Sequence, residues 1–107
     1  MNKFMRILVF FDLPVKTAKE RRVATAFRKF LLKDGYHMVQ YSVYARVCNG
    51  MDAVATHKAR IKYAVPENGS VRLLVLTEKQ YESIDILLGN YHVPNLLEEE
   101  TEQLSIF

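Results

Sequence analysis

Cysteine occurs once in these 107 residues, at Cys48, so neither a disulfide framework nor a cysteine-rich zinc site holds the fold together. There are four glycines and three prolines, and no GxGxxG or P-loop frame, which leaves dinucleotide and nucleoside-triphosphate cradles unsupported. No apolar stretch reaches about 18 residues, the length needed to span a bilayer. The three histidines, His37, His57 and His92, show no HxH or HExxH spacing and form no ligand set. Ser42 has no GxSxG frame and no neighbouring base, which argues against nucleophilic catalysis. The apolar start, Phe4 to Phe11, lacks a small-residue cleavage site and runs directly into Asp12, so the cytoplasm is the expected location.

What is present is globular: 50% hydrophobic and 25% charged, in a length that suits one domain over 1–107. The net charge of +3 hides an uneven distribution. Residues 1–62 carry thirteen Lys and Arg against four Asp and Glu, whereas residues 63–107 carry two against eight. A basic body with an acidic tail suggests a polyanion for one face and a different partner for the other end.

The run from Phe4 to Phe11 has the length of a strand buried on both faces, ended by Asp12-Leu13-Pro14. Thr17 and Glu20 read as a capping box opening a helix over 18–34. Val23, Ala26, Phe27, Phe30 and Leu31 supply its apolar stripe, and Gly35 its stop. Residues 36–47 are β-rich, with Val39, Tyr41, Val43, Ala45 and Val47 alternating against Gln40, Ser42, Tyr44 and Arg46. The pattern allows one bent strand or two short ones.

A second helix follows over 52–64, with Val54, His57 and Ile61 inward and Lys58, Arg60 and Lys62 outward. Val71 to Thr77 reads as another buried strand, and Glu82 to Leu88 as a weaker one. The terminal Leu104-Ser105-Ile106-Phe107 has strand character and can pair with its own sheet or augment a neighbour's. The order describes an α+β sandwich; two strands in 36–47 make it a βαββαβ ferredoxin-like unit.

Asp12 is the first charge after the apolar run, at the C-terminal end of a strand. One carboxylate binds magnesium weakly, since that ion keeps several waters and seeks further oxygen ligands. Two copies of Asp12 meeting across a dimer axis, with substrate phosphate, make a better site. A plain loop aspartate is the alternative. The helix 18–34 carries Lys19, Arg21, Arg22, Arg28, Lys29 and Lys33 on its polar side, with Lys19, Arg22, Lys29 and Lys33 on one face. Such a face suits sequence-independent tracking of a phosphate backbone, or is simply solvated.

Four segments together resemble a known family: Val9-Phe10-Phe11-Asp12-Leu13-Pro14, Lys19-Glu20-Arg21-Arg22, Gly35 through Tyr44, and Val71 through Gln80 with its Thr-Glu-Lys-Gln turn. They resemble the small CRISPR-associated endoribonucleases, the second core protein of the spacer-adaptation machinery, and Tyr41 to Arg46 and the long C-terminal segment look most like type II members. The chain differs from many relatives at Met38, often arginine, and at Phe11, often tyrosine.

The resemblance implies a homodimeric ferredoxin-like fold with an extra C-terminal strand on the partner's sheet, so that 36–47 splits into two strands and segment 89–107 contacts the other protomer. It implies Asp12 as the catalytic, magnesium-binding residue, with Ser42 and Arg46 in possible polar support. The expected activity is phosphodiester hydrolysis in single-stranded RNA or in DNA. The expected partners are duplex protospacer DNA and two flanking dimers of the CRISPR integrase, a heterohexamer-type assembly; a non-catalytic DNA-binding scaffold is the alternative.

Overall fold

A computed structural model describes residues 3–89. Its first strand, β1 (Phe4–Asp12), lies between two neighbours, and this central place explains its apolar sequence. Ile7, Val9 and Phe11 turn towards the helices and are buried, while Leu8 on the opposite face is 6% exposed.

Helix α1 (Ala18–Lys33) begins where its capping box places it. Glu20 N donates to Thr17 Oγ1, and Thr17 N donates to the Glu20 carboxylate. Its end is a Schellman arrangement: Gly35 N donates to Leu32 O and Tyr36 N to Leu31 O, with Gly35 at φ 93°. The buried stripe is rotated from the expected one. Ala24, Phe27, Arg28 and Leu31 face the sheet, whereas Val23 is 40% exposed and Ala26 lies outside. The small Ala24 lets the helix approach the sheet, and the aliphatic stem of Arg28 can lie on apolar surface. Burying Phe27 and Leu31 contributes roughly 1.5–3 kcal/mol each.

The 36–47 region is two strands, β2 (His37–Gln40) and β3 (Val43–Asn49), turning at Tyr41-Ser42 with Ser42 at φ 64°. Helix α2 (Met51–Ala64) and strand β4 (Ser70–Thr77) complete a βαββαβ ferredoxin-like fold. The antiparallel sheet has order β2-β3-β1-β4, with both long helices packed into one core.

The structure orients β3 and corrects one sequence expectation. On β3 the residues facing the helices are Tyr44, Arg46 and Cys48, cross-strand partners of Val9, Ile7 and Met5; Val47 is 41% exposed on the other face. Of the two alternating sets, the one with Val43, Ala45 and Val47 lies on the outer face, where Ala45 is nonetheless fully buried. Residues 82–88 form no strand. Thr77 and Gln80 make a second capping box that starts a short helix, α3 (Glu78–Glu82), directly after β4. Beyond it Ile84, Ile86, Leu87 and Leu88 are exposed. The expected strand at 104–107 and all but the first residue of segment 89–107 lie outside the described residues.

Candidate nucleic-acid and metal site

Asp12 closes β1, exposed, opposite Ser70 of β4. Its backbone is held from both sides. Phe11 N donates to Ser42 O at 3.1 Å, and the turn before β4 packs on the Asp12 carbonyl. Gly69, at φ 105°, permits that approach: a Cβ there would lie 2.7 Å from Asp12 O. The Asp12 side chain makes no hydrogen bond or ion pair among the described residues, so a fixed backbone presents a free carboxylate to solvent. No three of His, Cys, Asp and Glu among the described residues come together as a metal cage. One exposed carboxylate fits magnesium only as part of a larger set completed by a second copy and by substrate phosphate.

Of the residues expected to support Asp12, Ser42 is near through its backbone carbonyl. Arg46 is not. It pairs with Ile7, five residues back along β1, and faces the helices. There its Nη1 donates to the Asp34 carbonyl and its Nε to Val47 O at 3.1 Å, so it ties the end of α1 to β3.

The cations of α1 divide into two groups. Lys19, Arg22, Lys29 and Lys33 are exposed, on the shared face that their spacing predicts. Arg28 is 8% exposed and donates to Thr25 Oγ1 at 3.2 Å, so it does not belong to that open face. Arg21 Nη1 donates to the Val15 and Lys16 carbonyls at 3.2 and 3.1 Å, pinning the loop between β1 and α1. A shallow depression between the cations is floored by Ala18, Thr25 and Ala26 and rimmed by Arg21, Arg22 and Lys29.

Two clusters escaped the sequence reading. On the outer sheet face Arg6 makes a two-pronged ion pair with Glu78 and lies 4.2 Å from the centre of the Tyr81 ring, holding α3 down. At the far end of α1, Asp34 accepts from His57 Nδ1 at 2.9 Å and from Arg60 Nη1 at 2.5 Å. An acid at a helix C-terminus opposes the helix dipole, and that was the one available signal that Asp34 has a cationic partner. His57 is thus a satisfied, half-buried histidine, as expected. Cys48 is packing sulfur: burial pushes its thiol up, only partly countered by Arg46.

His37 on β2 carries a pH dependence of its own. Desolvation, followed by the nearby Arg6 charge, lowers its pKa below the ordinary value of 6.5. The fold therefore favours neutral His37. That contribution is complete above the unfolded pKa and is lost as pH falls through the folded one, where the unfolded chain binds more protons. Denaturant midpoints should drop as pH falls below about 6.5, the ordinary histidine value, and part of that drop should disappear in His37→Gln. Equal pH dependence in both proteins would refute the assignment.

The chain is thus a small ferredoxin-like domain with an exposed carboxylate at a strand end and exposed cations along α1. The chain belongs to the CRISPR associated protein Cas2 family, whose model matches residues 5–84. It is 54% identical over 85 residues to the CRISPR-associated endoribonuclease Cas2 of Acidovorax ebreus (strain TPSY), covering 79% of this chain and 83% of that one. It is 41% identical over 106 residues to the CRISPR-associated endoribonuclease Cas2 of Campylobacter jejuni subsp. jejuni, covering 99% of this chain and 73% of the other. A crystal structure of Cas2 shares the fold at TM-score 0.59 and 23% identity, covering 85% of this chain and 93% of that chain. No helix among the described residues is long and apolar enough to cross a membrane.

Proposed function

We propose that this chain is a homodimeric, metal-dependent endoribonuclease of cytoplasmic CRISPR adaptation, type II-like, that also holds duplex protospacer DNA between integrase dimers. The observation that carries the reading is an exposed Asp12 carboxylate on a fixed strand end together with four exposed cations on α1. The names of its relatives support the nuclease activity. Dimerisation is supported by the outer sheet face, where Phe4, Val47 and Leu74 are 41–47% exposed beside the exposed Ile84 to Leu88 strip. Segment 89–107 is assigned to the partner protomer on the same reading.

In the dimer, Asp12 of each copy would hold magnesium. When bound there, magnesium would lower the pKa of a coordinated water and offset the charge of the scissile phosphate. The chain's own task is orientation: the β1 backbone fixes each carboxylate, and α1 holds the flanking phosphates as point charges. Ser42 supports the strand end through its backbone.

The cationic face also favours a second reading, a scaffold whose service to spacer acquisition needs no cleavage. Replacing Arg22, Lys29 and Lys33 together by glutamate is expected to lower duplex affinity by at least about 100-fold and flatten its salt dependence by two to three contacts' worth, each about 0.9 in slope. Spacer acquisition should stop with it. Unchanged affinity and slope would remove α1 from the interface, and a monomeric mass in solution would remove the paired Asp12 site.

A further inference from the structure

We propose that Arg60, anchored by Asp34, is a phosphate grip that carries the nucleic-acid surface from α1 across onto α2. The proposal rests on the nucleic-acid reading above and adds a residue that the α1 face does not contain.

The geometry is that of a pre-aimed guanidinium. The Asp34 side chain is 9% exposed and sits in the junction of the two helices. One oxygen takes His57 Nδ1 and the other takes Arg60 Nη1. Arginine has five N–H donors, and the Arg60 side chain is 56% exposed, so most of its fork remains in solvent while one prong is fixed. A fork already oriented loses less freedom on binding a phosphate than a lysine on a flexible stem.

The local charge also points outward. Asp34 is a single carboxylate facing Arg60 and His57, with the Arg46 guanidinium on its own backbone carbonyl. Lys33, the last residue of α1, is exposed next to it in the chain. The excess is therefore positive, on the same end of α1 where the Lys29 and Lys33 pair finishes. A structural tie alone would not need a guanidinium that is more than half in water.

The test is salt-dependent binding of a fluorescein-labelled DNA duplex of mixed sequence to the full chain, with folding checked by circular dichroism. Arg60→Gln should weaken binding about tenfold near 0.1 M salt and reduce the slope between about 50 and 200 mM by about 0.9, one phosphate contact. Arg60→Lys should restore the slope but only part of the affinity, and it decides the matter if the glutamine variant melts early. Asp34→Asn adds a positive charge, yet should bind less tightly because the fork loses its anchor. Tighter binding with a steeper slope would overturn the anchoring. If the wild-type chain binds and the α1 reversal weakens it while both Arg60 variants match wild type, this inference alone fails. If the wild-type chain binds no duplex, the reading beneath it fails too.

Discussion

Asp12→Asn is expected to reduce magnesium-dependent cleavage of single-stranded RNA by at least about 100-fold, the scale on which groups acting at the reacting centre are felt. The substitution keeps size and shape and removes only the charge that a hard cation requires. It should cost the fold almost nothing. Asp12 is exposed, and its side chain has no hydrogen bond or ion pair among the described residues to lose, so its stability change should stay within about 0.5 kcal/mol. An unchanged melting temperature and unchanged molar mass therefore belong to the same expected result.

Three assays separate the readings. Chelation of the metal in the wild-type protein should match the Asp12→Asn loss, because both empty the same site. Duplex affinity should survive in Asp12→Asn, since the substitution leaves the α1 cations untouched. Spacer acquisition that continues in Asp12→Asn would make the scaffold the working role in the cell and leave cleavage a separate capacity. Cleavage at the wild-type rate in Asp12→Asn and Asp12→Ala alike would identify a contaminating nuclease and withdraw the catalytic assignment.

The parts of this protein that were legible in its sequence are those determined locally. The α1 boundaries rest on Thr17, Glu20 and Gly35, each acting within a few residues of itself, and the structure shows all three in use. Asp12 was visible as the first charge after an apolar run. The turn at Tyr41-Ser42 was legible only as one of two readings, because Ser42 adopts positive φ where glycine or asparagine would have announced it; the family resemblance chose between them. Residues 82–88 misled through the spacing of Ile84, Ile86 and Leu88, although Thr77 and Gln80 already held a helix start.

Burial of charged side chains was the harder problem. Arg28 and Arg46 count as polar in any pattern, yet both turn inward, one beside Thr25 and the other onto the end of α1. The Arg46 partner comes from tertiary structure, and the Arg28 burial is set by how α1 docks on the sheet. The Asp34 junction was hidden because its two side-chain partners, His57 and Arg60, are more than twenty residues away in sequence.

Tyr44→Ala tests the least legible feature, the choice of face on β3. The apolar alternation placed Val43, Ala45 and Val47 together and grouped Tyr44 with Gln40, Ser42 and Arg46. In the fold Tyr44 is 0% exposed, opposite Val9 on β1 and Met38 on β2, with its ring 5.6 Å from Phe11, which in turn meets Phe27 edge-on at 5.3 Å. Removing it empties the middle of the sheet's inner face, between both neighbouring strands and below α1. Truncating a buried aromatic of this size costs about 3–5 kcal/mol. That is a large share of a typical domain's total stability and corresponds to a melting-temperature fall of roughly 15–30 °C. Tyr44→Phe, which keeps the ring and its packing, should lose only about 1 kcal/mol. Val47→Ala supplies the contrast, because a side chain 41% exposed on the outer face should cost under about 1 kcal/mol. The two alanine variants thus reverse the order that the apolar alternation alone implies. If chemical denaturation instead finds Val47→Ala the more damaging, β3 is turned over, Arg46 faces solvent, and its tie to the Asp34 carbonyl does not exist.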